Sequence, residues 1–206
     1  DLPVAWLRLG QAQDATKNLD QARSSYQKAL NIKPDLIEGE LALARLEFNA
    51  GRKTEALKWV QKVQQQQPKQ GLGYMLEGEL LQSDKQYPKA LEKYEQAYAL
   101  SKTPDILIRI HAVLVSQGRG SEGEARLLQW AKDHPKETLV RLYLGDMYLK
   151  QNKMPAAAQQ YQAVLAQFPT DVMALNNLAF AYQQMKDPRA VEVTRRAYAK
   201  APSKTD

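Results

Sequence analysis

The residues of this 206-residue chain best equipped for chemistry are His111 and His134, the amides Asn176 and Asn177, and the guanidinium groups of Arg189, Arg195 and Arg196. Imidazoles can move protons or hold a metal, amides can read a peptide backbone, and guanidinium groups can hold a carboxylate or phosphate. Spacing argues against most of this. The two histidines are the only ones, and there is no cysteine, so thiolate metal sites, disulfides and cysteine nucleophiles are excluded. No G-x-x-x-x-G-K-S/T loop, G-x-S-x-G elbow or H-E-x-x-H motif is present. Glu38 and Glu40 are expected on a solvated helix face rather than as an acid-base pair. No catalytic residue, metal ligand or cofactor is therefore expected, and the chain reads as a non-enzyme.

The elements that would position these groups read as helices. His111 falls where two helices should touch, and His134 precedes Pro135 at a helix end. Arg189, Arg195 and Arg196 point in different directions from one helix and are expected in solvent, not as a cluster. The run Gln64 to Gln67 reads as a solvated helix end before Pro68. With 44% hydrophobic residues the chain can bury a sizeable core. Its net charge of +6 is spread along the chain and mixed with acids, so no nucleic-acid partner is expected. No apolar run approaches the ~20 residues that span a bilayer, and DLPVAWLRLG lacks the features of a signal peptide.

The chain repeats. Pro34, Pro68, Pro135, Pro169 and Pro202 lie 34, 67, 34 and 33 residues apart. Six units follow, at about 3–36, 37–70, 71–103, 104–137, 138–171 and 172–205. Gly10, Ala44, Gly78, His111, Gly145 and Ala179 share the eighth place. Ala22, Ala56, Ala90, Gly123, Ala157 and, after a one-residue deletion, Ala190 share a later one. Tyr26, Val60, Tyr94, Leu127, Tyr161 and Thr194 follow four residues on, and Ala29, Val63, Ala97, Trp130, Val164 and Ala197 three after those. Such intervals mark one helix face, so each unit predicts two antiparallel helices whose small residues let the backbones approach. Asn49-Ala-Gly51, Ser116-Gln-Gly118 and Gln151-Asn152 should end first helices. Ser121 and Glu124 should form a capping box, and Asp187 with Pro188 an N-cap and first turn.

A 34-residue unit with W-x2-L-G, A-x3-Y-x2-A and a closing proline closely resembles the tetratricopeptide repeat, carried in the first unit by Trp6, Leu9, Gly10, Ala22, Tyr26, Ala29 and Pro34. The resemblance covers the whole chain. It implies an all-α fold, a right-handed superhelical solenoid of six repeats and about twelve helices, with first helices lining a concave binding surface. Glu77, Lys102, His111 and Gly123 depart from the pattern.

In that family the second, fifth, ninth, twelfth and thirteenth places of a unit line the groove. Carried over, these include Leu7 and Gln11; Leu41, Arg45, Phe48 and Asn49; Met75 and Glu79; Ile108; Leu142 and Asp146; and Asn176 and Phe180. Val4, Leu72, Gln82, Val115, Leu139, Lys150, Met173 and Gln183 occupy further such places. Many are apolar, which favours an amphipathic helix or apolar peptide over a charged tail. The alternative is that several only pack within or between repeats. Asn176 and Asn177 are either contacts or inter-repeat hydrogen bonds. No unit has the Lys and Asn of the chaperone-binding carboxylate clamp.

Asn176-Asn177-Leu178-Ala179, Asp187-Pro188-Arg189-Ala190, Arg196-Ala197-Tyr198 and Trp130 with His134-Pro135 give a narrower likeness. They resemble the tetratricopeptide lipoproteins of PEP-CTERM and exosortase systems in exopolysaccharide-producing Gram-negative bacteria. This implies a periplasmic, membrane-anchored scaffold for a protein partner, its lipid-bearing cysteine lying outside this sequence. The ends read as those of a fragment of a longer array, with apolar ends open to self-association. A cytoplasmic adaptor and a direct binder of an anionic polymer are the alternatives.

Overall fold

The computed structural model describes the backbone of residues 1–200 and the side-chain surroundings of residues 1–199, and among them every regular element is helical. The chain divides into two compact units, Asp1–Gly118 and Arg119–Asp206. The first unit holds α1 (Leu2–Ala15), α2 (Leu19–Ile32), α3 (Ile37–Asn49), α4 (Lys53–Gln66), α5 (Gly71–Ser83), α6 (Tyr87–Leu100) and α7 (Pro104–Ser116). The second holds α8 (Gly120–Asp133), α9 (Leu139–Lys150), α10 (Met154–Gln167), α11 (Val172–Gln184) and α12 (Arg189–Lys200). Odd-numbered helices are the first of each repeat. Pro202, the expected close of the sixth repeat, lies outside the described residues.

The turns between paired helices repeat in conformation. Lys17, Gly51, Lys85, Gly118, Asn152 and Lys186, fifteenth in their repeats, all have φ between 55° and 75°. This left-handed residue reverses the chain and lets the next N–H reach back to a free helix carbonyl. Asn18 donates to Gln13, Arg52 to Glu47, Gln86 to Leu81, Lys153 to Tyr148 and Asp187 to Tyr182, all at 2.8–2.9 Å. Asn and Gly were readable as such residues; three lysines were not, because lysine has no bias toward this conformation. Second helices stop just before Pro34, Pro68, Pro135 and Pro169.

The first, second, third and fifth hairpins close on the predicted small residues Gly10, Ala44, Gly78 and Gly145. In the first unit α1 packs on α2, α3 on α4 and α5 on α6, and each second helix packs on the next first helix. The core is consequently a row of small clusters. One joins Leu7, Tyr26 and Ala29 to Leu36, Leu43 and Leu46; the next joins Ala44, Ala56 and Val60 to Leu76 and Leu80; a third joins Tyr94 and Ala97 to Ile106 and Ile110. Every cluster crosses a repeat junction, so burial that is worth about 1.5–3 kcal/mol per large apolar side chain depends on the neighbouring repeat. In the second unit α8 packs on α9, α9 on α10, α10 on α11 and α11 on α12, burying Leu144, Tyr161, Val164, Leu175, Leu178 and Val193.

Four local expectations need correction. The Ser121–Glu124 capping box is absent: α8 starts at Gly120, and Glu124 Oε1 instead accepts from the buried Tyr148 hydroxyl at 2.7 Å. Glu40 is not solvated but fully buried, held by Lys62 at 2.8 Å and Gln66 at 3.0 Å. The glutamine run is therefore more than a wet helix end, since Gln64 also donates to Glu77 at 2.8 Å. Thr194 is exposed, and Val193 takes the inner position with Ala197; both choices obey helical spacing, and burial favours the valine over a hydroxyl.

Candidate functional site

The first helices of the first unit carry the predicted site residues at the second, fifth, ninth, twelfth and thirteenth places of their repeats. Leu41, Phe48, Met75 and Ile108 are half-buried, while Gln11, Arg45 and Asn49 are exposed. Leu7 differs, being buried in the core against Tyr26 and Ala29. Between α3, α4 and α5 a shallow depression is lined by Ala44, Arg45, Phe48, Val60, Leu76, Glu79 and Leu80. The ring of Phe48 thus lies beside one cation and one carboxylate.

Glu79 pairs with Arg109 of α7 at 2.7 Å, so α5 and α7 are tied at this surface. Beneath, the Tyr94 hydroxyl donates to Gln82 Oε1 at 2.8 Å. Burial pushes the Tyr94 hydroxyl up to about 12, with the Arg109 charge opposing. Arg109 was missed as a site residue because the sixth place of a repeat is not among the family's lining places; an arginine amid the apolar ILIRIHAVLV was the available signal.

In the second unit, Asp146 of α9 is the hub. It accepts from the Tyr161 hydroxyl and from Asn177 Nδ2 at 3.2 Å, and Asn177 is also 3.2 Å from the Tyr161 oxygen. Asn177 therefore makes inter-repeat hydrogen bonds from α11 to α9 and α10. Burial and the Asp146 hydrogen bond hold the Tyr161 proton well above the ordinary tyrosine range. Asn176 is exposed, Leu142 is half-buried, and Phe180 keeps 46% of its surface in solvent.

The histidines and Arg195 are dispersed, but Arg189 and Arg196, seven residues apart on α12 and expected only in solvent, line one cleft, with Arg196 half-buried. His111 is buried, as its helix-contact place implied. The His134 ring stacks on Trp130 at 3.9 Å, with Nδ1 3.1 Å from the Trp130 carbonyl oxygen. Arg189 is held by Asp187 at 2.6 Å and Arg195 by Glu192 at 3.4 Å, while Arg196 donates to the Pro169 carbonyl. The hydrogen bonds from Arg189 lower the Asp187 carboxyl to about 2. Among the described residues no three metal-ligating side chains converge, and no helix is long and apolar enough to cross a membrane.

Family models described as tetratricopeptide repeat and TPR repeat match residues 15–80 and 145–186 respectively. This is a tetratricopeptide-repeat protein. No curated protein matches its sequence. Among solved structures, the tetratricopeptide-repeat chain is similar to the pilF protein of Pseudomonas aeruginosa at 17% identity, with a TM-score of 0.66 over 98% of this chain and 93% of that one. A thermophilic TPR protein of Thermus thermophilus is 24% identical, with a TM-score of 0.63 over 88% and 99% of the two chains. YrrB, a TPR protein with an unusual peptide-binding site, is 19% identical, with a TM-score of 0.53 over 87% and 93%. At these identities the likeness is one of fold. For a tetratricopeptide-repeat protein, that fold is the frame of a protein-interaction scaffold.

Proposed function

We propose that this protein is a noncatalytic scaffold whose first helices hold an apolar or amphipathic peptide segment of a protein partner. One observation carries the reading. Phe48, Met75 and Ile108 in one unit, and Leu142 and Phe180 in the other, stand at lining places yet keep accessible surface. The exposed Arg45, in the depression with Phe48, and the exposed Asn176, on the helix of Phe180, are polar groups that can orient a bound segment. Apolar anchors with a few polar groups suit a helix or extended segment laid along a groove. The peptide-binding site named for YrrB supports the same reading by analogy of fold.

The partner class extends, on our reading, to a Gram-negative envelope system for exopolysaccharide or protein sorting, with the scaffold in the periplasm. What supports this is the wording of Asn176–Ala179 and Asp187–Ala190. Selection of peptides from a random display library on the purified protein tests the core of the proposal. Enriched apolar peptides should lose binding to Phe48→Ala and Phe180→Ala variants that keep their helical circular dichroism. Undiminished binding by both variants would show that the segment sits elsewhere.

A further inference from the structure

Two repeat junctions share one construction and fill it differently. At the first, Lys62 Nζ of α4 donates to the Pro34 carbonyl at 3.1 Å and pairs with Glu40 at 2.8 Å. Three residues earlier, Trp59 packs half-buried against the cluster of Leu30, Leu36 and Leu43. At the junction of the fifth and sixth repeats, Arg196 Nη2 of α12 donates in the same way to the Pro169 carbonyl, at 3.1 Å. Here Leu175 stands in the place of Glu40, fourth in its repeat, and Val193 in the place of Trp59. The carboxylate that faces the cation and the indole packed three residues before it are both replaced by smaller or uncharged side chains.

What remains is a cleft of about 390 Å³ between α10, α11 and α12. Its floor is apolar: Leu165, Leu178 and Val193 are each less than a tenth exposed. Arg189 lies over the Tyr182 ring at 4.4 Å, but its charge is met by Asp187. Glu192 at the rim pairs with Arg195. Arg196 differs, because its hydrogen bond goes to a neutral carbonyl.

We propose that this cleft binds a carboxylate carried on an apolar group, the carboxylate on Arg196 and the apolar part on Leu165, Leu178 and Val193. Its volume lies in the range of about 300–1,000 Å³ typical of ligand pockets. A bare inorganic anion would leave the floor wet, and a neutral hydrocarbon would leave the guanidinium without its counter-charge. Two sources share the chemistry: a free medium-chain acid, and the C-terminal residue of a peptide. Neither Phe48 of the first unit nor Phe180 of the second lines this cleft, so its failure leaves the scaffold reading standing.

The experiment is a titration of the ¹⁵N-labelled protein with sodium octanoate, 1-octanol, and a pentapeptide ending in leucine with a free or amidated terminus. Octanoate or the free-ended peptide should shift amide resonances of α10 and α12. Val193→Trp, which restores the residue of the second repeat, should abolish the shifts, and Arg196→Gln should weaken binding about tenfold, as loss of one charged hydrogen bond implies. Circular dichroism verifies that each variant folds, and Arg196→Lys, which keeps the charge, should retain most of the binding. Shifts from octanoate alone assign a free acid; shifts from the free-ended but not the amidated peptide assign a chain terminus. Equal response to octanol, no response to either acid, or undiminished binding by folded Val193→Trp overturns the proposal.

Discussion

Gly78 of α5 lies against the ring of Tyr94 of α6, so closely that a Cβ at residue 78 would stand 2.6 Å from the ring carbon Cε1. Gly10 and Tyr26, and Gly145 and Tyr161, repeat the relation at 2.5 and 2.6 Å. In the second repeat Ala44 and Val60 share a cluster instead, so the first helix gains a methyl group where the second loses an aromatic ring. Across the hairpin contact the small residue grows where the large one shrinks.

Gly78→Ala should accordingly lower stability by about 1–3 kcal/mol through overpacking against a fully buried ring. Combined with Tyr94→Val, which reproduces the second repeat's pair, the loss should fall below the sum of the single losses by about 0.5 kcal/mol or more. Urea denaturation of the four proteins measures the coupling. Strictly additive losses would mean that the ring moves aside and the contact is not tight.

Lys85 occupies the left-handed turn conformation at φ 58°, where Gly51 and Gly118 stand in other repeats. Lys85→Gly should stabilise the protein by roughly 0.5–1 kcal/mol by removing the Cβ penalty. Thermal melting would register this as a rise in Tm, whereas an unchanged or lower Tm would indicate that the lysine side chain contributes as much as its backbone strain costs.

Glu40 is fully buried and faces the half-exposed Lys62. Lys62→Met should cost about 1–3 kcal/mol, less than for a wholly buried pair because Lys62 is partly solvated. Adding Glu40→Leu, the residue found at that place in the sixth repeat, should recover most of the loss. Chemical denaturation of the single and double variants tests it, and no recovery would show that Glu40 contributes by shape or through Gln66 alone.

Alkaline pH should unfold this protein by way of its tyrosines. Burial, assisted by the nearby Asp14 charge, pushes Tyr26 up to about 12, and burial pushes Tyr94 to about 12 also. The folded state thus holds protons that the unfolded chain releases near its ordinary value of about 10. Stability from these groups is complete below that pH and is lost as pH rises toward 12. Tyrosine absorbance followed with circular dichroism should show ionisation of these rings coinciding with helix loss. Smooth ionisation near pH 10 in a folded protein would contradict it.

Much of the fold was legible because a repeat writes its physics six times. Small residues at the eighth place, and aromatics sixteen residues on, need no knowledge of distant contacts: glycine permits approach and tyrosine fills the space. The site was legible only by place. Asn177 carried the right type for a hydrogen bond, but its partners Asp146 and Tyr161 lie 31 and 16 residues away in sequence. Arg109 was hidden because its importance rests on Glu79, in the preceding repeat.

By itself, then, the sequence determined the period, the helical hairpins, the turns at Gly51, Gly118 and Asn152 and the register of small against large residues, since these depend on backbone preference and on spacing within one unit. The tertiary structure decided what lies across the junctions. Glu40 found Lys62, Arg23 and Arg52 converged on Glu47, and a cleft opened beside Val193, which stands in the register place of Trp59. Long charged side chains have many rotamers and several reachable partners, and a cavity is a sum over residues from three helices. Neither quantity is local, so neither could be read from spacing.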